Sequence, residues 1–146
     1  MDSTFVVGID VGGQTSKLGV VDARGAVLAQ TVIRTDTYSE VEPYIAELAE
    51  AVKKIIRESG TEGKVRGIGV GAPNGNYYTG TIENAPNLLW GRQRVEFAKL
   101  LSEAMDGLPV ALTNDANAAA VGEMTYGAAR GMKNFIMFTL GTGVGS

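Results

Sequence analysis

The distribution of apolar and polar residues predicts three short β-strands at the start of the chain. The runs Thr4 to Ile9, Ser16 to Val21 and Ala26 to Ile33 are rich in β-branched and other apolar residues. Glycine-containing turns separate them, which is typical of antiparallel strands joined by hairpins. We therefore expect the sheet to begin with three antiparallel strands.

The spacing of apolar residues changes after the third strand. Between Ser39 and Ser59 they recur every three or four positions, which predicts an amphipathic helix. Ser39 is a typical cap for its start, and Pro43 is tolerated in a first helical turn. Gly60 follows the last apolar position and predicts the end of this helix.

Beyond Gly60 the predicted strands and helices alternate. Three antiparallel strands followed by such an alternation predict an α/β fold, with a mixed sheet and helices on both of its faces. The predicted elements are strands at Val65 to Val70, Pro109 to Leu112 and Asn134 to Leu140, a hairpin arm within Tyr77 to Glu83, and helices at Arg94 to Met105 and Ala116 to Ala129.

Composition narrows the classes of protein. A chain of 146 residues with 45% hydrophobic content is typical of one globular domain. We see no membrane-spanning run and no signal peptide, so we expect a cytoplasmic protein. With no Cys and no His, the chain itself holds no disulfide, thiolate zinc site or His-based triad. The net charge of -3, without a basic cluster, argues against nucleic acid and membrane partners and favours small molecules.

The first candidate site is the turn that runs from Asp10 to Lys17. Its glycines, Gly12 and Gly13, allow backbone N–H groups to face a phosphate, and a carboxylate at a strand end can hold Mg²⁺ through the metal's water ligands. The competing interpretation is an ordinary hairpin in which Asp10 is only a turn residue.

The second candidate is Asn114-Asp115, at the end of one predicted strand and the start of a helix. Active-site groups of α/β sheets gather at such carboxyl ends. There Asp115 could accept the proton of a sugar hydroxyl that attacks a γ-phosphoryl group, while Asn114 orients the hydroxyl. The competing interpretation is a helix cap without catalytic function.

The third candidate is a second glycine turn after a strand, Gly141 to Gly145, whose Thr142 hydroxyl could bind phosphate; a glycine-rich hairpin is the alternative. The chain lacks the Gly-x-x-x-x-Gly-Lys-Ser/Thr loop, and Gly69 to Asn74 lacks the last glycine of a dinucleotide fingerprint. Asn87 and Trp90 could line a sugar site, although a single Trp is more often a core residue. Together these parts indicate phosphoryl transfer to an alcohol.

The order and spacing of several blocks resemble the ROK family of repressors, open reading frames and kinases, and its glucokinase-like members above all. The resemblance implies an actin-like (ribonuclease H-like) ATPase fold, with ATP and sugar bound between two domains. Residues 1–146 would then be the N-terminal domain, truncated at Ser146 before the C-terminal domain. The blocks are Asp10 to Gly13, Asn84 to Trp90, Asn114 to Glu123, Gly127-Ala128 and Gly141 to Gly145.

The resemblance also implies a role for individual residues. Asp115 would be the catalytic base and, with Asn87 and Asn114, would bind the sugar. ATP and Mg²⁺ would be held at two phosphate sites, with Asp10 as the metal ligand. Two positions depart from the family pattern: Gln14 stands where Thr is usual, and Asn74 follows Pro73 where Gly is usual. The first phosphate site would comprise Asp10, Gly12, Gly13, Gln14, Thr15 and Lys17, and the second Gly141, Thr142 and Gly143.

The implied activity is ATP-dependent phosphorylation of a hexose, with glucose favoured, by a full-length homo-oligomeric enzyme. We expect this fragment alone to be inactive, because family kinases complete the sugar site from their second half. One alternative is a sugar-sensing transcriptional regulator of the same family. We expect it less, because such regulators carry a DNA-binding domain before the kinase-like part, whereas here the first predicted strand begins at Thr4 and no basic patch is present. The other alternative is a chaperone-type or cell-shape ATPase of the same fold.

Overall fold

The structure, a computed structural model, describes residues 5–22, 26–76, 79–86, 88–91 and 94–113. Seven strands and two helices lie within these ranges. They are β1 (Phe5–Val11), β2 (Thr15–Asp22), β3 (Val27–Arg34), α1 (Val41–Ser59), β4 (Val65–Gly71), β5 (Gly75–Asn76), β6 (Thr81–Ile82), α2 (Phe97–Ala104) and β7 (Val110–Thr113).

Five of the strands form one mixed sheet, as the sequence predicted, in the order β3-β2-β1-β4-β7. β1, β2 and β3 are an antiparallel meander, whereas β4 pairs in parallel with β1, and β7 in parallel with β4. The predicted arm corresponds to the two-stranded hairpin of β5 and β6, but β5 begins at Gly75, before the predicted start at Tyr77. The sheet therefore has three neighbouring parallel strands whose carboxyl ends share one edge.

Helix α1 follows its predicted pattern closely. Its apolar face, which includes Tyr44, Leu48 and Val52, is buried against the sheet. Gly60 ends the helix in the left-handed conformation, with φ of 72°, which glycine adopts without steric cost. The predicted cap at Ser39 is wrong by one residue, because Glu40 occupies the N-cap and makes no side-chain capping bond.

Helix α2 begins later than the predicted Arg94. Val95 forms an isolated antiparallel bridge with Ile82, and the two residues exchange backbone hydrogen bonds of 2.8 and 2.9 Å. This pairing keeps the chain extended before Phe97, where the helix starts. The helix end at Ala104 lies one residue before the predicted Met105.

Both described helices pack against the same face of the sheet, where one continuous core contains Ile9, Leu18, Leu48 and Leu101. A small second cluster, Val6 and Val21 with Val27, lies on the other face. The predicted helix at 116–129 and the strand at 134–140 lie outside the described residues, and with them the expectation of helices on both faces. Neither described helix combines the length and the hydropathy that a membrane span requires.

Candidate active site

The carboxyl ends of β1, β4 and β7 form one row. Asp10 is the register partner of Gly71, and Gly71 is the partner of Thr113. The row therefore places the carboxyl end of β1 and the carboxyl end of β7 at the same edge of the sheet. Ligands of α/β sheets bind outside such carboxyl ends, so this edge is the candidate active site.

The turn between β1 and β2 has a closed geometry that only glycine permits. The Gly12 N–H donates to the Thr15 carbonyl oxygen at 2.9 Å, and a Cβ on Gly12 would lie 2.8 Å from that same oxygen. The Gly12 N–H is therefore used inside the turn. The N–H groups of Gly13 and Gln14 have no backbone partner within the described ranges, and these two donors are the ones left for a phosphate.

Asp10 lies at the end of β1, on the sheet face opposite α1, and is half-buried. Burial raises the pKa of its carboxyl, and the positive charge of Lys17, its register partner on β2, acts in the opposite direction. On β4 the partner is Gly71, which has no side chain to compete for the carboxylate.

These features fit a magnesium ion that keeps most of its water ligands. A cation would stabilise the ionised form of Asp10, which burial disfavours. Within the described part of the chain no group of three His, Cys, Asp or Glu residues could hold a metal. A site with one carboxylate suits Mg²⁺, because this ion is usually bound by one or two carboxylates together with waters and substrate phosphates.

A buried network of three hydroxyl groups lies behind the β1–β2 turn. The Ser16 Oγ is 2.6 Å from the Thr35 Oγ1 and 2.6 Å from the Tyr44 hydroxyl. The Thr35 N–H donates to the Gln14 carbonyl at 2.8 Å, so the network also contacts the turn itself. All three hydroxyl-bearing residues are buried, and burial raises the pKa of Tyr44. The sequence analysis missed this network; the available signal was a polar Ser16 on the same strand face as Leu18 and Val20.

Trp90 is a core residue. Its ring stacks on Tyr44, with centroids 4.7 Å apart, and on Phe97, with centroids 5.8 Å apart. Its indole N–H is buried and has no acceptor among the described residues. Of the two interpretations of this residue, core or sugar contact, the core position is the observed one.

The residues around Trp90 form a compact loop, 85–91. The Ala85 N–H donates to the Gly91 carbonyl at 2.8 Å, and the Gly91 N–H donates to the Leu88 carbonyl at 3.0 Å. A Cβ on Gly91 would lie 2.9 Å from the Leu88 Cβ, so glycine is required for this packing. These bonds join the two ends of the loop; Asn87 lies outside the described residues.

Asn74 fixes the segment that leads into this loop. Its side-chain amide donates to the carbonyl oxygens of Glu83 and Asn84, at 3.1 and 2.8 Å. Its φ of 57° lies in the left-handed region, where glycine is favoured and Asn is better tolerated than most other residues. The left-handed backbone explains why the family pattern usually has glycine at this position. The Asn74 side chain adds two hydrogen bonds that glycine could not make.

The predicted site residues divide into two groups. Those of the first phosphate site lie together at the β1–β2 hairpin: Asp10, Gly12, Gly13, Gln14, Thr15 and Lys17. The others lie outside the described residues: Asn87, Asn114, Asp115, Gly141, Thr142 and Gly143.

A cavity of about 470 Å³ opens beside the start of α1. Its lining includes Trp90 together with one acidic and one basic side chain, those of Glu40 and Arg94. Among the predicted site residues that the structure describes, only Trp90, the candidate sugar contact, lines it.

Comparison with known proteins identifies a family to which the chain is similar. The sequence profile of the ROK family matches residues 6–146. The chain is 36% identical over 142 residues to a glucokinase of Streptomyces coelicolor, and 27% identical over 147 residues to a xylose repressor of Caldicellulosiruptor bescii. The matches cover 97% and 99% of this chain, but only 42% and 36% of those proteins. The chain thus spans less than half the length of these relatives.

A similar fold occurs in a crystal structure of a ROK family glucokinase from Streptomyces griseus in complex with glucose and AMPPNP. The two chains are 32% identical, with a TM-score of 0.63. The match covers 85% of this chain and 37% of the other. At this identity the likeness extends to sequence as well as to the backbone.

Proposed function

Because this chain belongs to the ROK family, we propose that it is the N-terminal domain of a kinase that phosphorylates a hexose, glucose being favoured, with ATP and Mg²⁺. The similarity to glucokinases supports the reaction class. The observation that carries the proposal is the row of Asp10, Gly71 and Thr113, which brings the phosphate turn and the end of β7 to one edge.

The β1–β2 turn supplies the first phosphate site in this proposal. The N–H groups of Gly13 and Gln14 donate to phosphate oxygens, and Lys17 adds a positive charge. The Thr15 hydroxyl is a further donor. Magnesium bound with ATP neutralises charge on the phosphates, and Asp10 would hold it through its water ligands.

Asp115 is the proposed general base, because it follows the end of β7 by two residues. Its carboxylate accepts the proton of the attacking sugar hydroxyl. The sugar oxygen then bonds to the γ-phosphorus, and the bond from that phosphorus to the bridging oxygen breaks, which releases ADP. Asn87 and Asn114 orient the sugar by hydrogen bonds.

The second glycine turn completes the proposed phosphate binding. Gly141, Thr142 and Gly143 would donate backbone and hydroxyl hydrogens to phosphate oxygens. Chain beyond residue 146 is proposed to provide the second domain, since the relatives are more than twice as long as this chain. Sugar and ATP are then the small-molecule partners of the protein.

The test is a measurement of ADP release by the full-length protein against a panel of hexoses and N-acetylhexosamines. The Asp115→Asn variant should lose about 10²- to 10⁴-fold in sugar-dependent rate, the share of a positioned general base. Asp106→Asn is the matched control, because Asp106 is exposed in the turn after α2, and Asn tolerates its φ of 60°. Equal rates in wild type and both variants would contradict the proposal.

A second candidate, a sugar-responsive repressor, is supported by the similarity to the xylose repressor. Measurements on the full-length wild-type protein distinguish the repressor from the kinase. Calorimetric binding of a sugar by the wild type, without ADP release on addition of ATP, favours the repressor. Sugar-dependent ADP release favours the kinase.

A further inference from the structure

Tyr44 of α1 contacts two parts of the candidate site that are far apart in the sequence. Its hydroxyl group bonds to β2 just after the phosphate turn, and its ring stacks on the loop 85–91. The side chain is fully buried, so both contacts are made away from solvent.

On the side of the turn, the contact runs through hydroxyl groups. The Tyr44 hydroxyl lies 2.6 Å from the Ser16 Oγ, which lies 2.6 Å from the Thr35 Oγ1. The Thr35 backbone N–H then donates to the Gln14 carbonyl at 2.8 Å. Gln14 is one of the two turn residues whose own N–H group is left for phosphate. The chain of bonds therefore ends at Gln14, the residue whose N–H group would bind the nucleotide.

On the side of the loop, the contact runs through aromatic rings. Tyr44 and Trp90 are stacked at 4.7 Å with an interplanar angle of 24°. Trp90 precedes Gly91, whose carbonyl and N–H both bond within the loop. The same loop contains Asn87, the proposed sugar ligand. Movement of the Tyr44 ring would therefore displace Trp90 and, with it, this loop.

We propose that Tyr44 is a positioning residue that holds the phosphate turn and the sugar-binding loop in fixed relation through its hydroxyl and its ring. The inference rests on the proposed function, since it concerns the alignment of ATP with the sugar. The two contacts differ in chemistry. The hydroxyl group positions the phosphate turn through hydrogen bonds, and the aromatic ring positions the loop 85–91 through stacking on Trp90.

If the Tyr44 hydroxyl served only the stability of the fold, its removal would change the free energy of unfolding and not nucleotide binding. We expect the reverse. In Tyr44→Phe, Ser16 and Thr35 still bond to each other, so no buried hydroxyl is left without a partner and stability changes little. The ring stack on Trp90 is also kept. What is lost is the connection between α1 and the turn, and we expect the loss to be seen in nucleotide binding.

The experiment uses the full-length protein and three single variants. Tyr44→Phe should raise the KM for Mg·ATP about 3- to 10-fold, the effect of one hydrogen bond, and change the sugar KM less than about twofold. Ser16→Ala should have a similar effect, and the double variant should be no worse than the worse single one, because both changes break one chain of bonds.

Tyr38→Phe is the matched control. It also removes a tyrosine hydroxyl at this end of α1, but that hydroxyl donates to Glu47 at 2.5 Å, and among the described residues no hydrogen bond joins it to the turn. It should leave both KM values unchanged. An unchanged nucleotide KM in Tyr44→Phe, or equal effects of the two Tyr→Phe changes, would overturn the proposal.

Calorimetry with Mg·AMPPNP separates this inference from the proposed kinase activity, because it needs no turnover. If the wild type binds Mg·AMPPNP but shows no sugar-dependent ADP release, the proposed function fails. In that case weaker Mg·AMPPNP binding by Tyr44→Phe still supports the positioning role, and unchanged binding overturns it as well.

Discussion

A Cβ on Gly12 would lie 2.8 Å from the carbonyl oxygen of Thr15. The clash is with backbone, so it cannot be relieved by a side-chain rotation, and the turn itself must open. We predict that Gly12→Ala lowers the free energy of unfolding by about 1–3 kcal/mol, as overpacking does, and abolishes nucleotide binding. Urea unfolding and calorimetry of the full-length protein are the measurements. As the control, Gly63→Asn should fold and bind nucleotide normally, because a Cβ on Gly63 meets no atom within 4 Å and Asn accepts its φ of 76°.

The raised pKa of Asp10 predicts a conflict between stability and binding. The ordinary pKa of this group is 3.8. Between that value and its raised pKa, the folded protein keeps a proton that the unfolded chain has released, so stability falls as pH rises through this window and stays low above it. Asp10→Asn should therefore raise the free energy of unfolding at neutral pH but not below pH 3.8, and should weaken Mg·ATP binding. Lower stability of the variant at neutral pH would contradict the assigned cause, which is burial.

Trp90 predicts a difference between two substitutions. Trp90→Ala removes the ring stacked between Tyr44 and Phe97 and should cost about 3–5 kcal/mol of stability. Trp90→Phe should cost about 1 kcal/mol, because it keeps an aromatic face and also removes an indole N–H that is buried without an acceptor among the described residues. Urea midpoints of the two variants give the comparison, and equal midpoints would mean that the indole N–H has a partner.

From the contacts of Asn74 we predict that its substitution changes the KM for the sugar and not the KM for ATP. Asn74→Gly keeps the left-handed backbone but loses the hydrogen bonds to the Glu83 and Asn84 carbonyls. Since each exposed bond is worth about 0.5–1 kcal/mol, losing both should raise the sugar KM by a factor of about 5 to 30, with an unchanged KM for ATP. Steady-state kinetics of the full-length protein measure both. Tighter sugar binding by the glycine variant would show that the amide obstructs the pocket.

Local patterns were sufficient for much of the fold. The helix α1 and its end at Gly60 follow from apolar spacing and from one glycine, both of which act over a few residues. The start of α2 could not be predicted in this way, because it depends on the pairing of Val95 with Ile82, which lies 13 positions earlier in the chain. A helical pattern was therefore overridden by a contact that the pattern does not contain.

The same distinction applies to the site. Asp10, Gly12 and Lys17 are close in sequence, so a hairpin is enough to bring them together, as predicted. The hydroxyl network joins Ser16 to Thr35 and Tyr44 across separations of 19 and 28 residues, and no sequence motif marks it. The roles of Asn87, Asp115 and Thr142 stay predictions, since these residues lie outside the described ranges.

The row of Asp10, Gly71 and Thr113 also determines where the chain tolerates changes in length. Adjacent strands lie about 4.8 Å apart, so the ends of β1 and β7 are separated by about 10 Å, a distance set by backbone pairing alone. An insertion within any of the three strands would shift one end of the row or turn its side chains to the other face. Insertions between β4 and β7 would leave that distance unchanged. The connection between them, which carries the arm and the loop 85–91, is therefore where we expect changes in length to leave the row of strand ends in place.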